Sequence, residues 1–99
     1  MIAAIRSKLD EVAPEARAYL FGSRATGKAR TDSDWDILIL LDKPSITWDD
    51  HDRIAYPIAE LGWRLNEEIN PILFTEEQWQ RNSFTPFHHN VARENIEIL

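Results

Sequence analysis

No cysteine occurs anywhere in the chain, which excludes disulfide cross-links and zinc sites built on thiolates, and fits a reducing compartment. Long apolar runs are missing too. The longest wholly aliphatic stretch is Ile37 to Leu41, far short of the ~20 residues a membrane-spanning helix needs. The apolar start of the chain is broken at Arg6, so neither a signal-peptide core nor a membrane anchor is expected. Positive charge is scarce: 11 Lys and Arg stand against 17 Asp and Glu, a formal net charge of −6. Gripping a phosphate backbone needs clustered Lys and Arg, so stable nucleic-acid binding is not expected either. A cytoplasmic protein is the simplest reading of these absences.

What is present is enough for one packed core. The 99 residues are 43% hydrophobic, with four Trp and four Phe, and a chain of this size has room for one domain spanning 1–99. Ile2, Ile5, Leu9 and Val12 recur at helical spacing, and Pro14 closes that segment. Ala16 to Phe21 reads as a strand ending at Gly22, and Gly22 to Ser33 has the composition of a turn or one short helical turn. Asp34 to Leu41 is the clearest strand, with the continuous apolar run of a strand buried on both faces. Thr47 is a candidate helix N-cap with Asp50 at the third helical position. Ile54, Ile58, Leu61 and Leu65 form the stripe of the following helix, where Pro57 predicts a kink or a later start.

Ile69 to Phe74 reads as a third strand. Thr75 to Gln78 fits a capping box opening a short helix with Trp79, and Thr85-Pro86 opens a C-terminal helix with Phe87, Val91, Glu94 or Asn95, and Ile98 on one face. The order α-β-turn-β-α-β-α-α predicts a small α/β domain: a mixed sheet of three or four strands, one face covered by helices.

Three motifs overlap between Gly22 and Asp36. Gly22 to Lys28 spells G-x-x-x-x-G-K, but a phosphate-binding P-loop needs Ser or Thr next, where Ala29 stands, and a helix where a strand begins. Asp32 to Asp36 spells D-x-D-x-D, but a calcium loop counted from Asp32 needs Gly and Glu where Ile37 and Lys43 stand. The third motif joins Gly22-Ser23, ten residues, and Asp34-Trp35-Asp36. Asp34 and Asp36 lie two apart on a strand, so both point to one face with Cα atoms ~6.6 Å apart, able to converge on magnesium. Gly22 lets a phosphate approach the backbone, Ser23 offers a hydroxyl and an N–H, and Arg24 and Lys28 can add charge for a triphosphate tail. Either half alone is ordinary turn or surface chemistry; together they form a site.

This arrangement resembles the G-S-x10-D-x-D signature of minimal nucleotidyltransferases, in the DNA polymerase beta-like nucleotidyltransferase superfamily. Arg24-Ala25-Thr26-Gly27 continues the similarity, and the order of elements agrees along most of the chain. The resemblance implies the polymerase beta-like nucleotidyltransferase fold and Mg-dependent transfer of a nucleoside monophosphate, usually AMP from ATP, to an acceptor hydroxyl. It implies that Asp34 and Asp36 hold Mg2+, two ions with nucleotide bound, and that Gly22 and Ser23 hold the β and γ phosphates. It also implies a partner, a small helical HEPN-type protein to which this chain is the antitoxin of a toxin–antitoxin pair.

The third carboxylate of that family falls at Asn70, which carries no charge. Glu68, two residues earlier, is a candidate substitute, though Glu67 and Glu68 also read as solvated. An alternative function is therefore a nucleotide- or partner-binding module with weakened catalysis. His51, His88 and His89 read as surface or capping residues, the last two too divergent on a helix to share a metal.

Overall fold

The computed structural model describes all residues, Met1 to Leu99. Helix α1 (Ile2–Val12) leads into β1 (Arg17–Phe21), a single helical turn α2 (Ser23–Thr26) and β2 (Trp35–Leu41). A short α3 (Trp48–Asp50), a widened turn over His51–Ala55 and α4 (Tyr56–Arg64) cross to β3 (Ile69–Thr75). Then come α5 (Glu76–Arg81), α6 (Pro86–Arg93) and a two-residue β4 (Ile96–Glu97). No helix is long and apolar enough to cross a membrane.

The sheet is four-stranded and mixed, in the order β3-β2-β1-β4. β1 runs antiparallel to β2 and β4, while β3 is parallel to β2. Pro71 lies on β3, an edge strand, where its missing N–H interrupts no inner ladder.

Central β2 explains the layers. Ile37, Ile39 and Leu41 point into the main core with Ile5 and Leu9 of α1 and Ile58 of α4. Leu38 and Leu40 point the other way, onto Trp79 of α5 and Val91 of α6. A strand apolar on both sides must bury both, so helices cover part of the second face as well as the first. The expected single covered face is corrected to this extent.

Local signals act where the sequence puts them. Thr47 and Asp50 form a reciprocal capping box, as do Thr75 and Gln78, and the Thr85 hydroxyl accepts from the His88 N–H. Pro57 cannot donate to a carbonyl one turn back. The helix meets this by widening: the Tyr56 N–H reaches the His51 carbonyl, five residues back, and α4 begins with Pro57 in its first turn. The C-terminal segment departs from expectation. The helix stops at Arg93, Glu94 turns extended, and Ile96–Glu97 pairs with Tyr19 and Leu20. Ile98 is therefore buried in the main core beside β1 rather than on a helix face. Its spacing from Val91 matches two helical turns only by coincidence, and the open edge of β1 wins the segment.

Asp50 is buried, and its carboxylate accepts from the Lys43 ammonium at 2.7 Å, the Thr47 N–H at 2.8 Å and the Arg53 guanidinium at 3.1 Å. Burial pushes its pKa up, but the hydrogen bonds from Lys43 and Thr47 outweigh it and hold the carboxyl at about 2. Asp50→Ala removes a cap and strands these donors, which should cost about 1–3 kcal/mol at neutral pH. A depressed pKa stabilises above the unfolded value and stops doing so as the pH falls through the folded one. The difference between wild type and Asp50→Ala in urea titrations should thus shrink as pH drops from about 4 towards 2. A gap that stayed constant would contradict this account.

Candidate functional site

The strand register assembles the site. Antiparallel pairing sets Phe21 opposite Asp36, and parallel pairing sets Asn70 opposite Asp36 on its other side. Gly22, Asp36 and Asn70 thus cross the sheet in one row. Side chains alternate along β2, and Trp35 packs with the α1–α4 core, so Asp36 lies on the face that carries α5 and α6.

Asp34 and Asp36 do converge. Asn70 donates through Nδ2 to Asp34 Oδ2 at 3.0 Å and to Asp36 Oδ1 at 3.2 Å. The nitrogen must be the inward end, because a carbonyl oxygen there would face acceptors only. The two carboxylates therefore share a common point, currently taken by an amide donor. The two carboxylates offer oxygen ligands of the kind magnesium takes, with substrate phosphates completing the set where the Asn70 amide group now sits. No group of three or more His, Cys, Asp and Glu side chains gathers to hold a metal, so any cation here depends on this pair and on a ligand. Asn70 stands where the resemblance places the third acid, and its bridging contact was not legible from spacing.

Gly22 is required by two independent constraints. Its backbone has φ 76° and ψ −158°, a region open to essentially no other residue. A Cβ built there would also lie 2.6 Å from Asp36 Oδ2. Gly22→Val should therefore strain the turn and push Asp36 away, lowering nucleotide affinity by ~5- to 150-fold if about 1–3 kcal/mol of strain falls on the bound state. Calorimetry on the folded variant checks this, and unaltered affinity would place the phosphates elsewhere.

Ser23 begins α2 directly after Gly22, and its carbonyl accepts the Lys28 N–H at 3.1 Å as Gly27 closes the turn with φ 78°. Lys28 is exposed beside it. Arg24 differs from expectation. Its guanidinium donates to the carbonyls of Thr31 and Ser33, stacks 4.4 Å from the Trp35 ring centroid, and lies 3.9 Å from the Glu67 carboxylate. The residue therefore ties the loop before Asp34 to the sheet, rather than extending towards a phosphate tail. The stack covers a Trp35 whose buried Nε1 has no hydrogen-bond partner. Sequence spacing missed this clamp because its parts lie seven to forty-three residues apart in the chain.

Glu68 does not join the carboxylates. Its carbonyl accepts the Trp35 N–H at 2.8 Å, and its side chain lines a surface hollow with Thr31, Asp32, Trp63, Asn66 and Glu67. Glu67, expected to be solvated, pairs with Arg24. His88 stacks on Trp79 with centroids 4.1 Å apart, a packing role in place of the expected surface or capping one. His51 opens the widened turn, and His89 is exposed.

Comparison with known proteins bears on the fold and the family. The family described as "Polymerase beta, Nucleotidyltransferase" matches residues 3–99. A Haemophilus influenzae protein named "Probable protein adenylyltransferase MntA" is 31% identical over 67 residues, 66% of this chain. The match spans 58% of that relative's length. Among solved structures, a toxin–antitoxin complex with AMP-PNP superposes with TM-score 0.69 at 20% identity, over 99% of this chain and 72% of its own. A mutant of the MntA–HpeT toxin–antitoxin pair gives 0.70 at 18% identity, over 100% and 73%. A proposed nucleotidyltransferase from Sulfolobus solfataricus gives 0.60 at 25% identity, over 82% and 72%. At these identities the two toxin–antitoxin structures establish a shared fold.

Proposed function

Because the chain belongs to the polymerase beta nucleotidyltransferase family, we propose that it transfers AMP from ATP to a hydroxyl of a partner protein. The observation that carries this reading is the convergence of Asp34 and Asp36 on one point next to a turn that only glycine can make. Gly22 and Ser23 cradle the β and γ phosphates through backbone N–H groups and the Ser23 hydroxyl, and Lys28 adds charge at their outer side. Arg24 positions the loop that delivers Asp34. Asp34 and Asp36 would hold Mg2+, two ions with nucleotide bound, and the metal would supply neutralisation of the charge on the attacking and leaving oxygens. The acceptor oxygen bonds to the α-phosphorus, the bond to pyrophosphate breaks in line, and the hydroxyl proton passes to solvent or to a base on the partner.

On this reading, acceptor specificity is supplied by the partner protein. The relative named as a protein adenylyltransferase supports a protein acceptor, and on the family resemblance we read the chain as an antitoxin that modifies its toxin, a small helical HEPN-type protein, in the cytoplasm. Asn70 favours one second reading: a module that binds nucleotide and partner but turns over slowly, since its third position carries no charge. The two are separated by co-purifying the chain with the product of the neighbouring gene, adding ATP and magnesium, and weighing both proteins. An AMP adduct on the partner is expected; a tight complex that never gains one would hand the function to the binding module.

A further inference from the structure

On the sheet face that carries Asp36, a hollow of about 270 Å³ opens between the end of β1, α2 and α6. Phe21, Gly22, Thr26, Phe87, Asn90 and Val91 line it, and its surface is largely apolar. Of these residues the chemistry proposed above uses only Gly22, through its backbone. Small-molecule sites generally enclose ~300–1,000 Å³, so this one suits a single flat ring system whose remaining atoms lie outside. Gly22 decides which atoms those are. It is at once a wall of the hollow and the turn against Asp36, so a ring lodged here leads directly to the phosphate turn and the carboxylates.

The aromatic framework is already rigid. Phe87 meets Phe21 edge-on at 5.5 Å and Trp79 edge-on at 6.0 Å, yet stays 39% exposed. We infer that this hollow is the nucleobase subsite of the nucleoside triphosphate, an inference that rests on the nucleotidyltransfer reading. Phe87 and Phe21 supply the apolar surface for the base. Asn90, exposed beside them, carries one donor and one acceptor group, the combination that pairs with the amino and ring-nitrogen edge of adenine.

The test compares Mg-ATP with magnesium tripolyphosphate, which keeps the phosphates and lacks the base. Calorimetry is run on wild type, Phe87→Ala and Asn90→Trp, the last placed on an exposed helix position so that it fills the hollow without disturbing the core. Wild type should bind ATP at least ~10-fold tighter than tripolyphosphate, as base–aromatic contacts generally provide. Both substitutions should reduce ATP to the tripolyphosphate level and leave tripolyphosphate unchanged; if Phe87→Ala does not fold, Asn90→Trp carries the result alone. Unchanged ATP affinity in folded Asn90→Trp would overturn the subsite. So would a wild type that binds both ligands equally, while leaving the phosphate turn standing. A wild type that binds neither ligand would overturn the nucleotide reading together with the subsite.

Discussion

Replacing Asp34 and Asp36 together with asparagine is expected to abolish magnesium-dependent ATP binding and to lower AMP transfer at least ~10³-fold. The double change removes both negative charges that face the common point, and leaves amides that bind a divalent cation weakly. Metal neutralisation of transition-state charge is worth several kcal/mol, and each 1.36 kcal/mol is tenfold in rate. The fold should survive. Asp34 is exposed and Asp36 half-buried, both look out of the core, and removing two like charges held against one amide relieves repulsion. Thermal unfolding should therefore show a midpoint equal to wild type or higher, which separates loss of the site from loss of structure. A folded double variant with wild-type Mg-ATP affinity would rule the site out.

Asn70→Asp is expected to act in the opposite direction. The side chain sits opposite Asp36 and touches both carboxylates, so an aspartate there completes a three-acid cluster without moving the backbone. It adds metal charge balance and a group able to take the acceptor proton. General acid–base assistance is typically worth ~10²–10⁴-fold, and transfer should rise by a similar factor. The change has a cost without metal: the amide that now bridges two carboxylates becomes a third like charge, which raises the energy of the empty site. Magnesium should therefore raise the melting temperature of Asn70→Asp more than that of wild type. Glu68→Gln is the control. Its side chain lines a separate hollow, so transfer should be unaltered. Equal transfer by wild type and Asn70→Asp would mean that the base comes from the partner protein. Loss of transfer in Glu68→Gln would mean that this glutamate swings in to serve the site.

Much of this is legible in the sequence, for reasons that are local. The caps at Thr47, Thr75 and Thr85 satisfy N–H groups within three residues of themselves, so their signal is complete in the sequence. The two-residue spacing of Asp36, on β2, and Asp34, immediately before it, indicated a common face because side chains alternate along an extended chain. Ile37 to Leu41 announces burial on both faces because no solvated strand tolerates five aliphatic residues in succession.

The sequence by itself therefore determined the order of elements from α1 to α6, the family signature and the identity of the carboxylate pair. Tertiary structure alone decided where contacts between distant residues outweigh local preference. The edge of β1 drew Ile96 and Glu97 into a fourth strand, although Ile98 kept helical phase with Val91. Parallel register brought Asn70 across thirty-four residues to bridge Asp36. Trp35 and two carbonyls captured Arg24, whose charge had suggested a phosphate contact. In each case the deciding partner lies beyond the reach of any periodicity, because hydrogen bonds and stacking form between groups that only the folded sheet makes neighbours.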